Sequence, residues 1–174
     1  MMKTEEAIAA AVAPGKSALQ LRLDDLSDPR IAVLLEEHLA DMYRISPPEC
    51  VFALDLQALK QPDVRFWTAW DEAGELLGCG AWKWIDATGE THAELKSMRT
   101  ATAARGRGVG RAILQQLLTD ARAHGVQRMS LETGPHDFFK PAHGLYLAAG
   151  FEVCGPFGDY VEDPHSLFMT RLLG

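Results

Sequence analysis

Alternating glycine and arginine residues form the segment with the clearest chemical potential in this sequence. The segment lies between a predicted strand and an amphipathic helix and reads Arg105-Gly106-Arg107-Gly108-Val109-Gly110-Arg111. Glycine at every second position removes Cβ atoms that would crowd the backbone, so successive N–H groups can point into one concavity at a helix N-terminus. The positive end of the helix dipole adds to the attraction for anions. The segment therefore predicts a phosphate or pyrophosphate cradle.

Other glycine-rich phosphate loops fit this segment poorly. A Walker A loop is excluded because no Gly-Lys-Ser/Thr follows the glycines. A dinucleotide-binding loop normally follows the first strand of a βαβ unit and precedes an acidic residue about 20 positions later, which disfavours that fold here. A flexible glycine-rich loop without a ligand is the remaining alternative.

Charge around the cradle is opposite in sign to the charge of the whole chain. Seventeen Lys and Arg residues against 24 Asp and Glu give a net charge of -7, which disfavours nucleic acid as the main partner because phosphate backbones attract basic surfaces. No acidic residue lies between Glu94 and Asp120, whereas the same region holds the basic residues Lys96, Arg99, Arg105, Arg107 and Arg111. We expect a small anionic ligand there, with a solvated basic loop as the alternative.

Length and composition predict one globular domain. The chain has 174 residues, 47% of them hydrophobic and 24% charged, which suits a single domain of ordinary composition. Its longest apolar stretch, residues 7–13, is shorter than the roughly 18 residues of a membrane span and lacks the basic flank of a targeting peptide. We therefore expect a cytoplasmic protein with no membrane partner. Residues 1–16 are predicted to be a flexible tail, and residues 17–174 a single domain.

Cysteine usage predicts neither disulfides nor a metal site. The three cysteines, Cys50, Cys79 and Cys154, are odd in number and show no C-x-x-C spacing. That pattern argues against a disulfide framework and against a zinc cluster. We expect reduced thiols and no bound metal.

Strands and helices that would position the cradle alternate along the chain. Strands are predicted over residues 18–23, 64–70, 76–85, 94–100, 126–133, 151–154 and 166–172. Helices are predicted over residues 29–45, 54–60, 109–124 and 142–149. This order indicates an α/β protein with a mixed sheet and helices on both faces. Gly78 and Gly80 share one face of their strand, which predicts a close approach by another element.

Four segments together resemble the GNAT superfamily of N-acetyltransferases, over roughly residues 17–172. Arg105-x-x-Gly108-x-Gly110 is similar to the superfamily's pyrophosphate-binding signature, and residues 94–100, 131–134 and 145–151 resemble its fourth strand, its fifth strand and its tyrosine helix. The chain looks closest to a bacterial subgroup, the YsnE-like acetyltransferases. The resemblance implies the acyl-CoA N-acyltransferase fold, a mixed but mostly antiparallel sheet of six or seven strands between helices.

The resemblance also implies how acetyl-CoA, the expected co-substrate, would be held. In the family the fourth strand bulges and splays from the fifth, and pantetheine inserts between them. By position, the backbone around Met98, Arg99 and Thr100 would pair with pantetheine. The diphosphate would be held by the cradle residues Arg105, Gly106, Arg107, Gly108, Val109, Gly110 and Arg111.

Two residues match catalytic positions of the family. Glu94 aligns with a glutamate that acts as general base in several members, and Tyr146 aligns with a tyrosine that protonates the leaving thiolate. An alkyl ammonium of pKa about 10.4 needs about 4.6 kcal/mol to lose its proton at pH 7. An ordinary carboxylate is about six pKa units too weak to take that proton directly, so we expect the base to act through water or with a raised pKa. The alternatives are a structural or simply exposed strand carboxylate for Glu94 and a buried helix aromatic with a satisfied hydroxyl for Tyr146.

Weaker candidates concern the acceptor. Trp82, Glu132 and His143 are predicted to contact it, and the segment 46–52 is predicted to shape its pocket. Each residue has an alternative role that involves no acceptor: a core position for Trp82, a structural role for Glu132, and a surface or capping role for His143. Lys96 and Arg99 could either recognise a substrate carboxylate or form the basic rim of the cofactor site.

These observations predict an acetyl-CoA-dependent N-acetyltransferase. The acceptor would be a primary amine of a small molecule, amino acid or peptide, which attacks the thioester directly. A catalytically silent acyl-CoA-binding or sensing protein is the alternative, because the cradle would serve either role. The resemblance also allows a homodimer, although no residue of this sequence indicates one.

Overall fold

Eight strands form one sheet in the computed structural model, which describes residues 8–10, 18–85 and 91–174. The strands are β1 (Ile8–Ala10), β2 (Leu19–Leu23), β3 (Val64–Trp70), β4 (Leu76–Ile85), β5 (His92–Thr100), β6 (Arg128–Thr133), β7 (Glu152–Cys154) and β8 (Leu167–Leu172). Their order across the sheet is β1-β2-β3-β4-β5-β6-β8-β7. Of the strand pairs in the described part of the chain, only β5 and β6 are parallel, so the predicted mixed and mostly antiparallel α/β sheet is confirmed.

Four α-helices in the described ranges accompany the sheet: α1 (Pro29–Ile45), α2 (Leu56–Leu59), α3 (Val109–Ala123) and α4 (Lys140–Ala148). One hydrophobic cluster joins the sheet to α3 and α4, and a second cluster joins it to α1 and α2. The helices therefore cover both faces, as predicted. None of the helices within the described residues is long and apolar enough to cross a membrane.

Helix α1 begins where its sequence predicts. Asp28 is the N-cap, and its side chain accepts a hydrogen bond from the backbone N–H of Arg30, which satisfies one of the free amides of the first turn. Pro29 follows at the first helical position, where its missing N–H costs nothing. The helix ends before Ser46, ahead of two prolines.

Glycines in β4 let α3 lie directly on the sheet. A Cβ added to Gly78 would stand 2.7 Å from the carbonyl oxygen of Arg99, and one added to Gly80 would stand 2.6 Å from Sδ of Met98 and 2.9 Å from Ile113. A larger residue at Gly78 would collide with backbone, and one at Gly80 would force the side chains of β5 and α3 to shift. The predicted close approach is that of α3, whose N-terminus carries the predicted cradle.

The N-terminal segment differs in part from its prediction. Residues 1–16 are predicted to be a tail, but Ile8–Ala10 forms β1 and pairs antiparallel with β2. This edge strand brings the number of strands to eight, one more than the predicted upper number. The rest of the predicted tail lies outside the described residues.

Candidate active site

A cavity of about 780 Å³ opens between β5 and β6 and reaches both faces of the sheet. The two strands pair only over their first three residues, and the last pair is Glu94 with Ser130. Both strands continue beyond this pair, β5 to Thr100 and β6 to Thr133. Beyond Glu94, the edge of β5 that faces β6 has no strand partner among the described residues. Its amides and carbonyls are therefore left for a ligand, because an unpaired buried backbone group is costly.

A β-bulge in β5 widens this opening. Register between β4 and β5 shifts between Cys79 and Ala81, and Ser97 adopts a left-handed backbone conformation with φ 55°. Bulges bend a strand and re-aim its side chains. The splay and the bulge expected from the family resemblance are both confirmed.

The glycine-rich turn forms one end of the cavity. Gly106 and Gly108 have φ values of +77° and +78°, and a Cβ at either position would meet no atom within 4 Å. Gly108 is the N-cap of α3 and makes no side-chain capping bond, so the amides of the first helical turn remain available for an anion. Nine of the ten residues predicted to bind the cofactor line the cavity: Met98, Arg99, Thr100, Arg105, Gly106, Gly108, Val109, Gly110 and Arg111. Arg107 is exposed and lies outside the lining.

Tyr146 lines the cavity from α4. Its side chain is buried, and burial raises the pKa of the phenol above its ordinary value. Within the described part of the chain its hydroxyl makes no hydrogen bond. The phenol therefore keeps its proton at neutral pH and is free to donate it to a ligand atom.

Glu132 is the only carboxylate among the residues that line the cavity within the described ranges. Burial raises the pKa of Glu132 to about 7, although the Ser166 hydroxyl and Lys96 oppose the rise. A carboxylate with this pKa is half ionised near neutrality and can accept a proton far more readily than an ordinary one. Glu132 was predicted to contact the acceptor, and its environment gives it the properties of a general base.

Glu94, the predicted base, is placed differently. Its carboxylate is buried outside the cavity lining, where Oε2 accepts a hydrogen bond from the Tyr160 hydroxyl at 2.5 Å and lies 3.2 Å from Nζ of Lys96. The physical reason is that Glu94 and Lys96 are two positions apart on one face of β5, and the loop before β8 places Tyr160 over them. The structural alternative for Glu94 is therefore favoured.

The structure places two of the residues predicted to contact the acceptor, Trp82 and His143, outside the cavity lining, where other groups of the chain bind their polar atoms. Trp82 is fully buried in the core, and its indole N–H donates to Oδ2 of Asp120 at 2.9 Å. The same carboxylate accepts from Arg65 and Trp67. His143 contacts the carbonyl oxygen of Gly134 at 2.7 Å through Nε2. Neither Trp82 nor His143 lines the cavity.

The wall opposite α4 comes from α1 and the segment after it. Ser46, Cys50, Val51 and Phe52 line the cavity as predicted for the acceptor pocket, and the structure adds His38 and Met42 of α1. Burial lowers the pKa of His38 to about 4, with the neighbouring Arg99 adding to the effect, so the imidazole is neutral at pH 7. The sequence holds no signal for His38, which is one polar residue of an amphipathic helix.

Cys50, Asp163 and His165 place a thiol, a carboxylate and an imidazole within 4.8 Å of one another at the cavity wall. The Asp163 carboxylate accepts hydrogen bonds from the Cys50 thiol and from the backbone N–H of His165, so hydrogen bonds within the chain account for the cluster. Elsewhere in the core, burial raises the pKa of the Cys79 thiol to about 12, which makes it a poor nucleophile.

Comparison with known proteins agrees with this geometry. The pattern of the Acetyltransferase (GNAT) family matches residues 32–151. The chain belongs to this family. It is 44% identical to the uncharacterized N-acetyltransferase YsnE of Bacillus subtilis over 155 residues, which cover 89% of this chain and all of YsnE. It is also 44% identical to the uncharacterized N-acetyltransferase YedL of Escherichia coli, over 88% of this chain and 94% of YedL.

A solved structure shows the same fold at lower identity. The GNAT domain of S. lividans PAT superposes with a TM-score of 0.73 at 19% identity and covers 99% of both chains. The acyl-CoA N-acyltransferase fold and the resemblance to YsnE-like acetyltransferases are thus both confirmed.

Proposed function

We propose that this GNAT family member transfers the acetyl group of acetyl-CoA to a primary amine of a small molecule, amino acid or peptide by direct attack. The observation that supports this most is one cavity that joins an anion cradle to a carboxylate of pKa about 7 and a protonated phenol. Acetyl-CoA supplies an activated thioester when bound.

The cavity fits the shape and charge of acetyl-CoA. At one end, the turn at Gly106 and Gly108 leaves open space in front of the first-turn amides of α3, and Arg105 and Arg111 stand beside it. At the middle, the unpaired edge of β5 offers hydrogen bonds to an extended chain carrying amide groups. These features suit a diphosphate followed by pantetheine.

In this proposal Glu132 removes the proton from the acceptor ammonium. Its pKa of about 7 shortens the gap to an amine of pKa about 10.4 by more than two units relative to an ordinary glutamate. Nearby Lys96 favours the ionised carboxylate. Glu132 therefore serves as the base above pH 7.

Tyr146 completes the proton transfers. Its hydroxyl is protonated at neutral pH and donates that proton to the sulfur of the departing thiolate, and the second proton released by the acceptor nitrogen restores the phenol. Amides on the free edge of β5 can donate to the carbonyl oxygen as negative charge develops there.

A thiol-release assay tests the proposal. Purified protein is mixed with acetyl-CoA and a panel of amines that includes amino acids, polyamines and peptides, and free CoA thiol and the acetylated product are both measured. The proposal predicts that product and thiol form in equal amounts with at least one acceptor class. Tight CoA binding without turnover on any acceptor would instead favour a silent acyl-CoA binder.

A further inference from the structure

We infer that the acceptor carries a carboxylate beside its amine, and the structure assigns the binding of that carboxylate to Arg99. The inference rests on the proposed function, because Glu132 must face the amine. The acceptor class is then a small amino acid in its free acid form.

Charge on the cavity wall is unbalanced. Of the ionised side chains that line the cavity in the described residues, one is acidic, Glu132, and four are basic: Lys96, Arg99, Arg105 and Arg111. Arg105 and Arg111 flank the phosphate cradle, whereas Lys96 and Arg99 lie on β5. The counter-ions of this second pair, Glu94 and Asp41, stand outside the lining. Their half of the cavity therefore presents to a ligand the cationic members of two ion pairs, whose carboxylates lie outside the lining.

Hydrogen bonding distinguishes the two β5 cations. Nζ of Lys96 contacts the carbonyl oxygen of Phe52 at 2.9 Å, the Tyr160 hydroxyl at 3.0 Å and the Glu94 carboxylate at 3.2 Å, so its three protons are all engaged. Arg99 uses only Nη1, which donates to Oδ2 of Asp41 at 2.6 Å. Within the described residues its Nε and Nη2 donate to nothing. Arg99 therefore retains donors for a carboxylate.

Unpartnered polar atoms concentrate at the same place. Four buried side-chain polar atoms in the described residues lack a hydrogen-bond partner, and three of them belong to residues of this cavity wall: His38, Ser97 and Arg99. The Arg99 side chain is 8% exposed, and a buried donor left without a partner costs about 1–3 kcal/mol. A polar ligand that bonded to this cluster would recover part of that cost.

The ligand that fits is an anion with two oxygens in one plane. Guanidinium groups bind carboxylates through paired N–H donors, and neutral His38 adds a polar neighbour without competing charge. The cavity of about 780 Å³ must also hold the pantetheine arm, so the acceptor is small. Met42, Val51 and Phe52 line the same side and suit an apolar side chain.

Matched pairs of probes test this assignment. The 20 standard L-amino acids are compared as free acids and as primary amides, by calorimetry on CoA-saturated protein and by kcat/KM with acetyl-CoA. We expect the best acid to exceed its amide by about tenfold to a hundredfold in both measurements, the range of a charge-assisted hydrogen bond. Intrinsic reactivity runs the other way, because the carboxylate raises the pKa of the neighbouring amine and leaves less of it neutral.

Arg99→Gln should reduce the ratio of acid to amide to about one. The double variant Arg99→Gln/Asp41→Asn should also reduce the ratio to about one. Its second substitution removes the Asp41 carboxylate, which would otherwise lose its partner Arg99. Arg44→Gln is the matched control, because Arg44 also binds Asp41, at 2.9 Å, but its side chain is 67% exposed and does not line the cavity. This control should keep the preference of the unmodified protein.

Equal binding of acids and amides by the unmodified protein would overturn the assignment, and so would a preference that survives in the double variant. The two proposals fail in different ways. Acetyl transfer to amines without any preference for acids would refute the carboxylate site and leave the acetyltransferase. Preferential binding of acids without acetyl transfer would refute the acetyltransferase and leave the site.

Discussion

Replacing Glu132 by glutamine should slow turnover and stabilise the fold at alkaline pH. Burial raises the pKa of Glu132 from its ordinary value of 4.5 to about 7. A group whose pKa is raised on folding favours the folded state fully at pH values below 4.5, and this contribution is lost as the pH rises through 7. Each pKa unit corresponds to about 1.4 kcal/mol, so ionised Glu132 costs the fold about 3 kcal/mol above pH 7.

Glutamine keeps the size of the side chain and removes this cost. Glu132→Gln should therefore raise the free energy of unfolding by up to about 3 kcal/mol at pH 8.5, with the gain fading between pH 7 and pH 4.5. Loss of a general base lowers the rate by about 10²–10⁴-fold. Urea unfolding at several pH values measures the first effect, and thiol release measures the second.

The pH dependence of kcat/KM separates Glu132 from Glu94. The unmodified protein should gain activity as the pH rises through about 7, where Glu132 loses its proton. Glu132→Gln should lose this rise in kcat/KM, the limb of the pH profile near pH 7. Glu94→Gln is the control: it weakens the contacts with Tyr160 and Lys96 and should lower stability while the limb near pH 7 remains. The reasoning is refuted if Glu132→Gln keeps the limb, or if Glu94→Gln alone removes it.

Four further substitutions, one of them a control, test separate parts of the structure. Tyr146→Phe should slow turnover at least about tenfold with little change in CoA affinity; an unchanged rate would remove Tyr146 from the mechanism. Gly108→Ala places a Cβ in open space at φ +78°, and its control Gly74→Ala does the same at φ +81°. Each variant should lose about 1–2 kcal/mol of stability, because alanine is strained in this conformation. Calorimetry should show weaker CoA binding only for Gly108→Ala. Asp120→Ala should lower the free energy of unfolding by about 3–5 kcal/mol in urea unfolding, because Arg65 and the Trp82 indole lose their acceptor. Its CoA affinity should stay unchanged, since Asp120 does not line the cavity, and an altered affinity would contradict this.

Local signals in the sequence predicted the elements that carry the cradle. Glycine at every second position, followed by a segment with an apolar residue at every fourth position, predicted a turn at the start of α3. The glycines of β4 predicted that another element lies close to this strand, and that element is α3. These features depend on backbone conformation and on contacts that a few neighbouring residues determine. Strand and helix bounds agree with the prediction to within about two residues at most ends, for the same reason.

Contacts between distant segments explain which residues the structure places differently from the prediction. Glu94 could not be recognised as a buried structural group, because Tyr160, which covers it, lies 66 residues away in sequence. Trp82 has strand spacing typical of either core or pocket, and only the position of Asp120 on α3 shows that its indole is satisfied inside the core. The raised pKa of Glu132 likewise depends on burial in the folded chain, which no local pattern encodes.

Quantifying acetylated product and free thiol together, in one reaction with acetyl-CoA and the free L-amino acids, tests the central claim most directly. Direct attack in the cavity between β5 and β6 predicts one acetylated amine for each thiol released, with no acetyl group on the protein itself in intact mass measurements. Thiol release without an acetylated amine, or an acetylated protein formed before the product, would contradict the account.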